Sequence, residues 1–508
     1  MSSCLPREDR ADFAYHLSLL ELDESDGQSD EALLAPVLTG AVLNQPSLGP
    51  TQYGLLGGVK RIDTPSYPTM NDEVTKNDPR LFFNVSSPSS VFICGSQGTG
   101  KSHTLSCLLE GCLIPSKAGR LLSPLTVVVF HYDTFICDGG GSPCEAAFLS
   151  SRLDLKVRVL CAPTNLRTIK IRWASITEAH TAYNTTGFNI EVQPLQTDQS
   201  HLNTKRMLDL MSVARDSGAG PLYLQTVQRI LREMRLLQQS TGLPFDYQDF
   251  KTRVLGSGLL TGQLEPLKQR LNFLESFMPP HQASTGYKFK KTKAKTQDGA
   301  SNWAPKLTIV DLSCPCVSPD TACSLFNICF EIFMEQDTNI GRIVALDEAQ
   351  KYMKDSVEAQ NFIDTLLSTV RLQRHLGARI FVSTQEPTIS SDLLDLCSVA
   401  IVHRFPSPAW VRALQPHVAA AALNLHVTKD SQAKNEQALL DIPAKLSIFH
   451  RIVNLKIGEA LLFSPGAMLS IVSEEPELQE MVRLGSGYMT IKVRGRLTDD
   501  GGKSVLST

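Results

Sequence analysis

The 508-residue chain has no apolar run near the roughly 20 residues that a helical membrane span needs, and no apolar stretch at its start. On these counts neither a transmembrane helix nor a secretory leader is expected. The chain is therefore expected inside the cell, in cytoplasm or nucleus, with no membrane partner. Neither sign of charge dominates: 49 Lys and Arg face 52 Asp and Glu, for a net charge of −3. That balance excludes a uniformly basic nucleic-acid clamp and leaves only local basic patches for such binding. Twelve cysteines include no CxxC pair; Cys314 and Cys316 are separated by Pro315 alone, and Cys94, Cys107 and Cys161 lie in apolar surroundings. Buried free thiols of a reducing compartment are the reading this favours, with a zinc site as the alternative. No internal repeat exists to build a solenoid. The three tryptophans and the phenylalanines are scattered and form no base-stacking platform.

What remains is an ordinary globular composition, 42% hydrophobic and 20% charged, long enough for one large domain with insertions or two to three smaller ones. Residues 1–78 are polar, and DESDGQSDE (23–31) has the composition of a disordered segment, so this region is expected to be largely disordered. From 79 to 472 apolar β-rich runs alternate with helical periodicity: strands at 91–94, 124–133, 156–163, 307–313, 342–348, 378–385, 399–405 and 459–465, and helices at 103–115, 322–336 and 357–376. Residues 200–282 read as a helical insert. Residues 283–304, with KFKKTKAK (288–295), read as a mobile basic loop whose lysines suit solvent, a phosphate backbone or a nuclear address. Residues 473–508 read as a polar tail with one short strand near 489–493. Strands alternating with helices predict an α/β domain of the RecA-like kind, a mostly parallel sheet covered on both faces.

GSQGTGKS (95–102) matches the phosphate-loop pattern GxxxxGK[ST] and has a strand before it and a helix after it. Backbone N–H groups of Gly95, Ser96, Gln97, Gly98, Thr99, Gly100 and His103 can turn toward phosphates, helped by the positive helix N-terminus. Lys101 reaches for the β- and γ-phosphates, and the Ser102 hydroxyl suits Mg²⁺. RIVALDE (342–348) delivers Asp347 to a strand tip, where it can hold the Mg²⁺ shell, and Glu348, which can polarise an attacking water. FVSTQEP (381–387) brings Gln385 to another strand end as a γ-phosphate sensor. RLQRHLGAR (371–379) holds Arg371, Arg374 and Arg379; a guanidinium there can stabilise a transferred phosphoryl group or sit solvated at a helix end. His403 and Arg404 end a further strand and read either as ligand-facing or as an ordinary strand end.

In this order, the motifs at 95–102, LTIVDLS (307–313), ALDEAQKYM (345–353), RHLGARIFVSTQEP (374–387) and KIGEALLFSP (456–465) resemble the HerA/FtsK superfamily of P-loop ATPases. The likeness is closer to the HerA branch and to a group of fungal P-loop proteins, and spans about 80–470. It implies ATP and Mg²⁺ as ligands, a sensor strand lying between the phosphate-loop and DE strands, a hexameric homo-oligomer and movement of double-stranded DNA. Carried over residue by residue, Asp347 is the magnesium aspartate, Glu348 the water-activating glutamate and Gln385 the strand-end glutamine. Arg374, eleven positions before Gln385, is the arginine that reaches a neighbour's nucleotide, with Arg371 second. Two departures stand out: residues 1–80 do not read as the branch's N-terminal β-barrel, and Arg379 replaces a glycine. Three functions stay open on residues alone: a DNA motor, an ATP-driven switch acting on a protein partner, and a nucleotide-binding module with little turnover.

Overall fold

A computed structural model describes residues 32–44, 49–64, 77–134, 143–152, 154–183, 188–211, 222–283, 306–336, 340–415, 442–475 and 478–501. The acidic stretch 23–31 and the lysines at 288–295 lie outside these residues. The apolar runs form the strands expected of them. In chain order they include β1 (Val37–Thr39), β2 (Tyr53–Asp63), β3 (Arg80–Asn84), β4 (Val91–Cys94), β5 (Gly119–Arg120), β6 (Thr126–His131), β7 (Val157–Cys161) and β8 (Ile190–Pro194). The second half adds β9 (Leu307–Asp311), β10 (Arg342–Leu346), β11 (Ala378–Thr384), β12 (Val399–His403), β13 (Glu459–Phe463), β14 (Met468–Glu475), β15 (Leu478–Arg483) and β16 (Tyr488–Val493).

Eight of these run parallel in the order β12-β4-β11-β10-β6-β9-β7-β8. Both faces are covered, and the alternation of side chains shows how. Phe92, Val128, Phe130, Ile380 and Val382 enter one core, beneath the helices Pro319–Met334 and Val357–Arg371 and the helical insert. Val91, Ile93, Val127, Val129 and Phe381 enter the other, beneath the helix Lys101–Leu113. Strands apolar on both sides cannot sit at a solvent face, which is why these segments read as continuous hydrophobic runs. Strand β11, which leads into Gln385, lies between β4 and β10, the order that the resemblance implies.

The insert contains helices Thr204–Met211, Leu222–Thr241, Tyr247–Leu255 and Thr261–Ser276. Arg206, 2% exposed, ties it to the body: Nε donates to Glu331 at 3.0 Å and Nη2 to Glu335 at 2.6 Å, both on or beside the helix Pro319–Met334.

Both chain ends correct the expectation. Within 1–78, taken as largely disordered, β2 is an eleven-residue strand pairing with β3 and β16. Beyond 473, taken as a tail with one short strand, β15 pairs with β14, and β16 bridges β13 and β2. The sheet therefore continues past β12 through antiparallel pairs, except that β1 and β14 run parallel. After β16 the chain straps the helix Lys101–Leu113. Glu110, fully buried on that helix, accepts from Arg494 Nη1 at 2.7 Å, Thr498 Oγ1 at 2.6 Å and the Leu497 and Thr498 amides. Leaving such a buried ionic group without its partners costs about 3–5 kcal/mol, so the strap holds the helix at the phosphate loop in place.

Candidate nucleotide site

Three strand tips converge on one edge of the sheet. Register places Cys94 opposite Thr384 and Leu346 opposite Val382, so β4, β11 and β10 end together. With strands about 4.8 Å apart, the loops after β4 and β10 stand about 10 Å from each other.

The loop after β4 needs its glycines for conformation. Gly95, Gly98 and Gly100 have φ of 153°, 74° and 113°. At Gly95 space is also short, since an added Cβ would lie 2.6 Å from the Cβ of His403. The Ser96 amide donates to the Arg404 carbonyl at 3.0 Å and Thr99 Oγ1 to the Ser96 carbonyl at 2.7 Å. Lys101 is 4% exposed, and its Nζ donates to the Ser96 carbonyl at 3.0 Å. Burial pulls its pKa below the usual lysine value, and the carboxylates of Glu348 and Asp347 oppose that pull. The half-buried Ser102 hydroxyl makes no hydrogen bond among the described residues, while Gln97 and Gly98 stand exposed at the rim. His103 turns away from the cradle, its Nε2 lying 2.8 Å from the Arg494 carbonyl.

The acidic pair divides its work by geometry. The Asp347 amide donates to the Phe130 carbonyl at 3.0 Å, and Oδ2 lies 3.1 Å from His131 Nδ1; Oδ1 is buried and has no partner among the described residues. Glu348 has φ 50° and ψ 44°, the one positive φ outside glycine among the described residues. Its Oε2 accepts from Gln385 Nε2 at 3.0 Å and from Gln350 Nε2. Gln350 also accepts from the Gln385 amide at 2.9 Å and from Thr384 Oγ1 at 3.1 Å. Sequence reasoning missed this bridging role; its one signal was a glutamine two positions after the acidic pair.

His403, left open by the sequence, is the floor of the phosphate loop. It is fully buried, and that burial holds its pKa down at about 4. The neutral ring donates from Nδ1 to the Glu459 carbonyl at 3.0 Å and meets Thr104 Oγ1 at 2.9 Å through Nε2.

Arg374 lies elsewhere. The expected single helix over 357–376 breaks at Leu372, and Arg374 sits on the short turn Gln373–Leu376, ended by Gly377 at φ 58°. It precedes β11, whereas Gln385 follows it, so the two stand at opposite ends of a seven-residue strand, about 20 Å apart. Arg371 and Arg374 are exposed and make no hydrogen bond or ion pair among the described residues. Arg379 is different: 3% exposed, it donates to the Ser86 carbonyl at 3.0 Å and locks the loop between β3 and β4.

Strand order, phosphate loop and acidic strand tip define a RecA-like P-loop NTPase fold. No family model matches the chain, and no curated protein matches it. Among solved structures, it is similar to VirB4 of Thermoanaerobacter pseudethanolicus, at 12% identity and TM-score 0.47 over 87% of this chain and 96% of the other. The plasmid coupling protein TrwB in complex with ADP and Mg²⁺ aligns at 13% identity and TM-score 0.39, over 78% of this chain and 84% of the other. The genome packaging NTPase B204 from Sulfolobus turreted icosahedral virus 2, in complex with AMPPCP, aligns at 12% identity and TM-score 0.21, over 32% and 62%. Among the described residues, no helix is long and apolar enough to cross a membrane.

Proposed function

We propose that this chain is a Mg²⁺-dependent ATPase that works as a homo-oligomeric motor on double-stranded DNA. The observation carrying the ATPase reading is the convergence of Lys101, Asp347, Glu348 and Gln385 on one sheet edge. The cradle fits a triphosphate: its glycines open the backbone, and its buried lysine spends its charge only on a carbonyl. Ser102 and Asp347 fit Mg²⁺, Asp347 through a buried oxygen that no donor among the described residues satisfies. When bound, the ion neutralises phosphate charge. Glu348 orients water toward the γ-phosphate, and Gln385, hydrogen-bonded to it, links that carboxylate to β11.

The motor reading rests on the ordered motif set and its family resemblance. Purified protein with ATP and Mg²⁺ is expected to assemble, and duplex DNA to stimulate its turnover in a salt-sensitive way. An assembled oligomer whose turnover ignores duplex DNA would favour a protein partner instead.

A motor with shared sites also gives Arg374 a task. It stands exposed, far from its own Gln385 and unpaired among the described residues, as a residue serving a neighbour must. Arg374→Ala should lower turnover by about 10³-fold. Mixing it with an inactive Glu348→Gln chain should restore part of the activity, because some interfaces then combine an intact Glu348 with an intact Arg374. Mixtures as inactive as their parents would rule out a shared site.

A further inference from the structure

Behind the acidic strand tip, three side chains of different chemistry meet out of water. His131 ends β6, Asp347 follows β10, and Cys144 opens the short 3₁₀ turn Glu145–Ser151. They are 3%, 4% and 2% exposed, and their ligand atoms all lie within 4.8 Å of one another. His131 Nδ1 is 3.1 Å and Cys144 Sγ 3.8 Å from the same oxygen, Asp347 Oδ2. Among the described residues, hydrogen bonding explains only half of the carboxylate, since no donor there meets the buried Oδ1. A buried polar atom left in this way is costly, the more so when it carries charge.

The spacing matches a coordination sphere. Bonds of about 2.1 Å to nitrogen and oxygen and about 2.3 Å to sulfur, at tetrahedral angles, put N and O about 3.4 Å apart and S and O about 3.6 Å apart. The observed 3.1 and 3.8 Å depart from these by a few tenths of an ångström. We propose that His131, Cys144 and Asp347 form a binding site for a thiophilic divalent cation of the Zn²⁺ class. A thiolate and an imidazole prefer such an ion to Mg²⁺, which takes oxygen ligands. On binding, the Cys144 thiol releases its proton to solvent and the sulfur donates to the metal. Three protein ligands leave a fourth position open. The Tyr352 hydroxyl, fully buried and without a hydrogen-bond partner among the described residues, lies within electrostatic reach of both Asp347 and Cys144.

One consequence rests on the proposed ATPase: an ion held here takes Asp347 away from the magnesium shell, so Zn²⁺ inhibits turnover. The site itself is tested without ATP. Metal-free protein titrated with Co²⁺ should bind one equivalent with a thiolate-to-cobalt charge-transfer band, and Zn²⁺ should displace it. Cys144→Ala should remove the band. His131→Gln should weaken binding at least about 100-fold, because even groups behind the ligands are worth 10–100-fold. A wild-type chain without the band, or a band undiminished in Cys144→Ala, overturns the site. Should Cys144→Ala fail to fold by circular dichroism, the wild-type titration and His131→Gln still decide. A chain that hydrolyses no ATP would still give the band, so the two proposals fail separately.

Discussion

Glu348→Gln should keep ATP binding within about twofold and slow release of the γ-phosphate by about 10²–10⁴-fold, the usual worth of a positioned general base. The substitution changes charge and keeps shape. Glutamine retains an oxygen to accept from Gln385 and Gln350, whose amides now hold the carboxylate. The backbone gives a second reason to expect a chemical role. A non-glycine residue at φ 50° costs on the order of 1 kcal/mol or more, and such strain persists only where the surroundings impose it. Here it turns Glu348 away from β10 and toward Gln385 on the neighbouring strand. Glu348→Gly should therefore be equally inactive yet no less stable to denaturant, which separates chemistry from folding. The measurements are single-turnover phosphate release and equilibrium nucleotide binding. Equal and negligible rates in wild type and Glu348→Gln would mean a chain that binds nucleotide without hydrolysing it.

The reacting edge was legible in the sequence because its requirements are local. A glycine-rich turn, an acidic pair after four apolar residues and a glutamine after a seven-residue strand each announce themselves within one segment. The parallel strands were legible for a related reason: buried on both faces, they leave uninterrupted apolar runs. The ends of the sheet were hidden because their partners are remote. β2 reads YGLLGGVKRID, half-polar and rich in glycine, and becomes a strand by pairing with β3 and with β16, more than 400 residues away. The glycines themselves are tertiary requirements: a Cβ at Gly57 would lie 2.3 Å from the Lys492 carbonyl oxygen. Glu110 anchors the C-terminal strap through partners more than 380 residues away, which no local pattern announces. His403 was ambiguous for the same reason, since nothing within β12 says that Gly95 packs on it. The trio of His131, Cys144 and Asp347 spans 216 residues from its first member to its last, beyond any motif.

Lys101→Met should weaken ATP binding at least about 100-fold, or about 2.7 kcal/mol, without lowering the melting temperature of the unliganded protein. The two halves have one cause. Lys101 is almost fully buried, and burial disfavours its charge. Because its folded-state pKa is depressed, the folded chain binds that proton less readily than the unfolded chain. The resulting cost to stability is present below the folded pKa and vanishes as pH rises past the unfolded value. Near neutral pH the unliganded protein therefore carries a buried ammonium whose hydrogen bond is to the Ser96 carbonyl, offset in part by Asp347 and Glu348. Methionine keeps the apolar stem and removes the desolvated charge. A triphosphate reverses the balance, because its negative oxygens are the partners that the ammonium lacks, and charge-assisted contacts in a site shielded from water are the strong ones. Binding should therefore depend on Lys101 far more than folding does. Calorimetric titration with a non-hydrolysable ATP analogue, alongside thermal denaturation of both unliganded proteins, measures each half. Undiminished affinity in Lys101→Met would refute the phosphate-loop assignment, and with it the shared edge on which Asp347, Glu348 and Gln385 are given their tasks.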